Sequence, residues 1–122
     1  MPELSPGSAR VLVVEDEYML AEALADELAA LGVQVVGPVG GLNEALALAA
    51  TSELDGAILD INLGGETVFP LADALAARGV PYVFATGYAR ESIPELYRQA
   101  PILSKPVDVA ALKSLLQTLT CD

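Results

Sequence analysis

Five side chains of this sequence could together hold a divalent cation and a phosphoryl group. Three are the carboxylates Glu15, Asp16 and Asp60, and the others are the hydroxyl of Thr86 and the ammonium group of Lys105. Carboxylates brought close together repel one another, and a hard cation such as Mg²⁺ relieves that repulsion. A carboxylate can also attack phosphorus and become an aspartyl phosphate. Since phosphoryl transfer needs mainly positioning and charge neutralisation, the set suits that chemistry.

The elements that would position these side chains alternate regularly along the chain. Five apolar runs predict buried strands, over residues 10–14, 33–37, 56–60, 80–85 and 101–104. Helical patterns follow each of them, over residues 20–31, 42–50, 67–78, a short and weak 94–99, and 109–119. We expect Leu20, Leu24 and Leu28 to face inward on the first helix, and Thr67 to cap the third. The alternation predicts a three-layer, doubly wound α/β fold with a five-stranded parallel sheet, in the flavodoxin-like order 2-1-3-4-5.

Such a sheet brings the five side chains to one edge. Glu15 and Asp16 follow the first strand, Asp60 ends the third, Thr86 follows the fourth and Lys105 follows the fifth. The functional crevice of these sheets lies outside the carboxyl ends of the strands, near the switch point between the first and third. Because the third strand is central, Asp60 is the predicted nucleophile.

Composition narrows the function further. The 122 residues predict one domain over residues 9–120, after a flexible N-terminal segment of residues 1–8. Histidine is absent and Cys121 is the one cysteine, which excludes histidine-dependent triads, disulfides and zinc sites of the Cys/His type. A net charge of −11 disfavours nucleic acid and anionic membranes as partners. No signal core or membrane-length apolar run is present, so we expect a cytoplasmic protein.

Four short motifs carry a resemblance to a known family. They are Val13-Val14-Glu15-Asp16-Glu17, Leu59-Asp60, Ala85-Thr86 and Lys105-Pro106. Together, and in this order, they resemble the receiver domain of two-component response regulators, from about Arg10 to Leu119. The resemblance implies that Asp60 accepts a phosphoryl group from the phosphohistidine of a sensor histidine kinase.

The resemblance also implies roles for the surrounding residues. Its Mg²⁺ ligands would be Asp16, Asp60, the backbone carbonyl of Asn62 and, through water, Glu15. Thr86 and Lys105 would contact the phosphoryl group, and the Lys105–Pro106 peptide bond would be cis. Self-catalysed phosphotransfer and hydrolysis would be its only reactions, so we expect no enzyme with a separate substrate. No residues remain for an output domain, so we expect a stand-alone receiver that signals by protein binding or acts as a phosphate sink.

The sequence departs from the usual receiver pattern in three places. Gly64 stands where proline is frequent, Gly87 where alanine is usual, and Ile102 where the aromatic switch residue is usual. The run Phe84-Ala85-Thr86-Gly87-Tyr88 instead resembles the atypical Phe-Ala-Thr-Gly subgroup, the FAT GUY receivers, often paired with kinases of the HWE or a related class. Further candidates for signalling are therefore Tyr88 and Tyr97, together with Gly64-Gly65 and Gly87, whose glycines could loosen both active-site loops.

Two other functions remain open at this point. A phosphorylation-independent adaptor with the receiver fold would explain the unusual loop and Ile102, although Asp16, Asp60 and Lys105 are intact. A Mg²⁺-dependent aspartyl phosphatase would need a second acid two residues after its nucleophile, where this chain has Asn62. Separately, Glu15-Asp16-Glu17 could serve only as the charged start of a helix, a role that we assign to Glu17.

Overall fold

The computed structural model of the chain describes residues 9–87, 93–97 and 100–104, together with 110, 111 and 114. Several predictions therefore fall outside the described residues. They concern the N-terminal segment 1–8, the side chains of Tyr88 and Lys105, the Lys105–Pro106 bond and most of the last helix. Residues 110, 111 and 114 are helical, within the span predicted for that helix.

Five parallel strands form the central sheet. They are β1 (Arg10–Val14), β2 (Gln34–Val39), β3 (Gly56–Leu59), β6 (Tyr82–Thr86) and β7 (Ile102–Ser104). Their order is β2-β1-β3-β6-β7, which is the predicted order 2-1-3-4-5. Two further strands of two residues each, β4 (Asn62–Leu63) and β5 (Glu66–Thr67), form a small antiparallel hairpin. The doubly wound sheet is thus confirmed, with a hairpin that the sequence reading treated as a loop.

Helices cover both faces of the sheet. They are α1 (Tyr18–Ala30), α2 (Leu42–Thr51) and α3 (Phe69–Ala77), and a short 3-10 helix spans Glu95–Tyr97. Side chains of successive strand residues point to opposite faces, so each strand contributes to two cores. Leu12, Leu59 and Phe84 pack on the side of α2 and α3. Val13 and Ile58 pack on the side of α1. In the part of the chain that is described, no helix is long and apolar enough to span a bilayer.

Three local expectations were wrong. Thr67 does not cap α3, because it belongs to β5 and pairs with Asn62, while Val68 precedes the helix. Leu20 lies in the first turn of α1, at the sheet edge where the strands end, and it remains 36% exposed whereas Leu24 is buried. The second strand begins and ends later than predicted, because this edge strand continues through Pro38.

Candidate metal and phosphoryl site

Three carboxylates meet at the carboxyl edge of the sheet. Val14 and Leu59 are paired in the register of β1 and β3, so Glu15 and Asp60 leave the sheet side by side. The backbone N–H of Asp60 donates to the carbonyl of Val14 at 2.8 Å, which continues the strand pairing into the site. One carboxylate oxygen from each of Glu15, Asp16 and Asp60 lies within 4.8 Å of the others. The predicted acidic cluster is therefore assembled by strand register.

The three carboxylates differ in exposure and in how they are held. Glu15 and Asp60 are buried, whereas Asp16 is exposed. The backbone N–H of Glu17 donates to Oε1 of Glu15 at 3.1 Å, and that of Gly64 donates to Oδ2 of Asp16 at 3.0 Å. Each of these two side chains uses one oxygen for a backbone amide and has a second carboxylate oxygen. Even the exposed Asp16 is thus tied to a specific backbone group.

The hairpin of β4 and β5 supplies the amide that holds Asp16. Gly64 and Gly65 form its two-residue turn, with φ angles of +64° and +97°. The two-residue turns common in β-hairpins need a positive φ at both positions. A residue with a side chain is strained at a positive φ, so glycine suits both positions. The side chain of Asn62 accepts a hydrogen bond from the N–H of Gly65 at 3.0 Å and stabilises the same turn. The predicted loop is therefore a tight hairpin turn at this point.

Thr86 and Asn62 lie at the same edge. Thr86 is the last residue of β6 and is only 1% exposed, so its hydroxyl is shielded from bulk water. Leu59 of β3 pairs with Phe84 of β6. Asp60 comes one residue after Leu59 and Thr86 two residues after Phe84, so both lie at the same end of neighbouring strands. Asn62 begins β4, two residues after Asp60. Lys105 lies outside the described residues, although β7 ends directly before it and pairs Ser104 with Thr86.

The residues present fit a hard divalent cation. Carboxylate and carbonyl oxygens are the donors that Mg²⁺ prefers, and it takes one or two carboxylates while keeping several waters. Asp16 and Asp60 supply two such carboxylates within reach of each other, and the partly exposed edge leaves access for water. The donor set contains no sulfur or imidazole, which argues against a zinc-type site at this cluster.

Comparisons with known proteins agree with this geometry. Residues 11–117 match the family described as the response regulator receiver domain. The chain belongs to the response regulator receiver domain family. Receiver domains act in two-component signalling, and the match covers the β1 to β7 sheet together with the acidic edge.

Individual relatives extend the comparison. The receiver is 42% identical to SdrG from Sphingomonas melonis Fr1, with a TM-score of 0.81 over 91% of this chain and 95% of that one. The BeF3-activated conformation of SdrG from Pseudomonas melonis Fr1 gives 43% identity and a TM-score of 0.76, over 90% and 95% of the two chains. The transcriptional regulatory protein PdtaR of Mycobacterium tuberculosis H37Rv is 29% identical over 107 residues, 84% of this chain and 52% of that protein. The receiver thus spans about half the length of this curated relative.

An aromatic cluster adjoins the receiver's acidic edge. Tyr97 of the 3-10 helix stacks on Phe69 of α3, with ring centroids 4.3 Å apart, and both rings meet Phe84 edge-on. The Tyr97 hydroxyl donates to Oδ1 of Asp73 at 2.9 Å. Burial, followed by this hydrogen bond, raises the pKa of Tyr97. Asp73 and Phe69 were not among the candidate residues, because their spacing on α3 resembles that of ordinary helix residues.

Two other switch candidates, Ile102 and Gly87, lie on β7 and directly after β6. Ile102, at the usual aromatic position, is half-buried in β7 and pairs with Phe84. Gly87 follows Thr86, and a Cβ added there would meet nothing within 4 Å among the described atoms. Phe84 thus links the position of Ile102 to the aromatic cluster around Tyr97.

Proposed function

We propose that this receiver accepts a phosphoryl group on Asp60 in a Mg²⁺-dependent reaction and signals through its phosphorylated form. The observation that carries the proposal is the convergence of Glu15, Asp16 and Asp60 within 4.8 Å at the carboxyl edge of a parallel sheet. Membership of the receiver family supports the same assignment.

Each residue of the edge has a distinct role in this proposal. A carboxylate oxygen of Asp60 attacks the phosphorus of a phosphohistidine, so that a P–O bond forms as the P–N bond breaks and the imidazole leaves. Asp16, Asp60 and the backbone carbonyl of Asn62 would hold Mg²⁺, and Glu15 would orient its water. The metal, when bound, neutralises charge on the phosphoryl oxygens. The Thr86 hydroxyl and the Lys105 ammonium group would contact the phosphoryl group.

The phosphoryl donor in this proposal is a sensor histidine kinase, of the HWE or a related class. The support is the run Phe84-Ala85-Thr86-Gly87-Tyr88, which resembles the FAT GUY subgroup. SdrG, a relative similar over nearly its whole length, has a BeF3-activated conformation, which recommends the same reagent as a probe here. Output follows from binding of the phosphorylated face to another protein, or from drainage of phosphoryl groups from the kinase.

A titration with Mg²⁺ and beryllofluoride, followed by amide NMR, tests the site. We expect saturable shifts for amides around Asp60, Gly64 and Thr86 in the presence of both reagents, and none with beryllofluoride alone. Asp60→Asn should abolish the response, whereas Asp26→Asn, on the exposed part of α1, should preserve it. A response that survives Asp60→Asn would show that another group carries the site. A partner that binds wild type and Asp60→Asn equally would favour the adaptor.

A further inference from the structure

Within the described segment 93–97, the Tyr97 side chain contacts α3 in two ways. The Tyr97 ring lies nearly parallel to Phe69, at 15° and a centroid distance of 4.3 Å. Its hydroxyl donates to Asp73, one helical turn further along α3. Stacking and the hydrogen bond come from opposite ends of the same side chain, so Tyr97 contacts α3 as a two-point attachment.

The buried ring of Phe84 lies between this attachment and the active-site edge of the sheet. Phe84 is fully buried and touches both rings of the stack edge-on, at 6.0 Å from Phe69 and 6.4 Å from Tyr97. Phe84 lies in β6, two residues before the buried Thr86 that ends the strand. A change at the Thr86 end of β6 therefore reaches Tyr97 through the packed Phe84 ring.

Room for a displacement exists beside the stack. A cavity of about 360 Å³ separates the β4–β5 hairpin from Phe69, Ile93 and Pro94. Ile93 is almost fully buried at its wall, whereas Tyr97 is half-buried and Asp73 is exposed. This space borders Ile93 and Pro94 on the hairpin side, and it is where this part of the segment would shift if Tyr97 left Phe69.

We propose that Tyr97, Phe69 and Asp73 form a latch that holds the segment 93–97 on α3 in the resting receiver and opens when Asp60 is phosphorylated. The proposal rests on the proposed function, because phosphorylation of Asp60 supplies the driving change. It assigns to Tyr97 the regulatory position that Ile102 leaves without an aromatic ring. Opening uncovers the face of Phe69 and releases Oδ1 of the exposed Asp73 from the Tyr97 hydroxyl, so the phosphorylated state presents a changed surface.

Tyrosine ring NMR observes the latch directly. The chain has four tyrosines, so selective ¹³C labelling gives few ring signals, and Tyr97→Phe assigns the one of interest. Stacking on Phe69 at 4.3 Å places the Tyr97 ring protons in the shielding region of the neighbouring ring. We expect this signal to move towards the position of a free tyrosine on saturation with Mg²⁺ and beryllofluoride.

Affinity for beryllofluoride gives the second readout. A contact made only in the resting state opposes activation, so its loss must favour the activated state. One hydrogen bond corresponds to roughly a 2- to 12-fold effect, and we expect Tyr97→Phe to bind beryllofluoride tighter by a factor in that range. Asp73→Asn retains an acceptor oxygen but loses the negative charge, so its affinity should lie between those of wild type and Tyr97→Phe. Asp26→Asn, on the exposed part of α1, is the control and should bind beryllofluoride as wild type does.

The two proposals fail separately. If the amides around Asp60 do not respond to Mg²⁺ and beryllofluoride, the phosphoacceptor site is wrong and the latch loses its driving force. If those amides respond while the Tyr97 ring signal stays in place, the latch proposal is overturned and the site stands. A Tyr97→Phe variant that binds beryllofluoride as wild type does, or more weakly, likewise overturns the latch.

Discussion

Neutralising Asp16 should have opposite effects on the metal-free and the Mg²⁺-bound receiver. Its carboxylate lies within 4.8 Å of those of Glu15 and Asp60. At that distance two unit charges repel by about 1 kcal/mol each in a water-like dielectric, which suits the exposed Asp16. Asp16→Asn removes two such repulsions, about 2 kcal/mol. It also weakens the charge-assisted hydrogen bond from Gly64, by about 1 kcal/mol. The net expectation without metal is a gain in stability of about 1 kcal/mol.

With Mg²⁺ the order of stabilities should reverse. A ligand that binds only the folded state stabilises it by RT ln(1 + [L]/Kd), so wild type should gain stability as Mg²⁺ rises while Asp16→Asn gains little. Urea unfolding followed by circular dichroism, in EDTA and in Mg²⁺, measures both effects. Asp26→Asn, which removes an exposed charge of α1, should change stability by no more than about 0.5 kcal/mol in either buffer. An Asp16→Asn variant that is less stable in EDTA, or that Mg²⁺ stabilises as much as wild type, would refute the reasoning.

Three further predictions concern the scaffold. Gly37→Ala should lower the free energy of unfolding in urea by about 2–4 kcal/mol, because φ is +95° and the new Cβ would lie 2.9 Å from a backbone nitrogen. Gly79→Ala, where φ is +73° and the surrounding space is open, should lower it by only about 1–2 kcal/mol. Phe84→Ala should cost about 3–5 kcal/mol in the same assay, since the ring is fully buried; a loss below 1 kcal/mol would contradict its place in the core. Burial and the Asp73 hydrogen bond raise the pKa of Tyr97 above its unfolded value. Their contribution to the free energy of unfolding is therefore complete below about pH 10 and is lost as the pH rises through the raised pKa. Tyr97→Phe should lessen this alkaline loss of stability.

The parts of the structure that follow from periodicity could be predicted from the sequence. Buried runs such as Arg10–Val14 read as strands because a strand covered on both faces tolerates few polar side chains. Once five such strands alternate with helices, the right-handed crossover rule leaves few sheet orders, and the observed order is among them. The meeting of Glu15, Asp16 and Asp60 then follows, because parallel strands place their carboxyl ends at one edge.

The parts that depend on local backbone geometry or on tertiary contacts were not predictable in the same way. Gly64-Gly65 is a hairpin signal, but the flanking strands have only two residues each, too few to show alternation. The hydrogen bond from Gly64 to Asp16 joins residues 48 positions apart and leaves no local pattern. Likewise, Tyr97 and Asp73 are 24 residues apart, so their contact emerges only after the segment packs on α3.

The central claim is that Asp60 is a Mg²⁺-dependent phosphoacceptor, and intact mass spectrometry after incubation with acetyl phosphate tests it most directly. We expect a mass gain of one phosphoryl group in the presence of Mg²⁺, no gain in EDTA and no gain for Asp60→Asn. Asp26→Asn should be modified as wild type is. A gain that persists in Asp60→Asn, or that is equal with and without Mg²⁺, would contradict the account. So would the absence of any gain from acetyl phosphate combined with amide spectra that do not respond to Mg²⁺ and beryllofluoride.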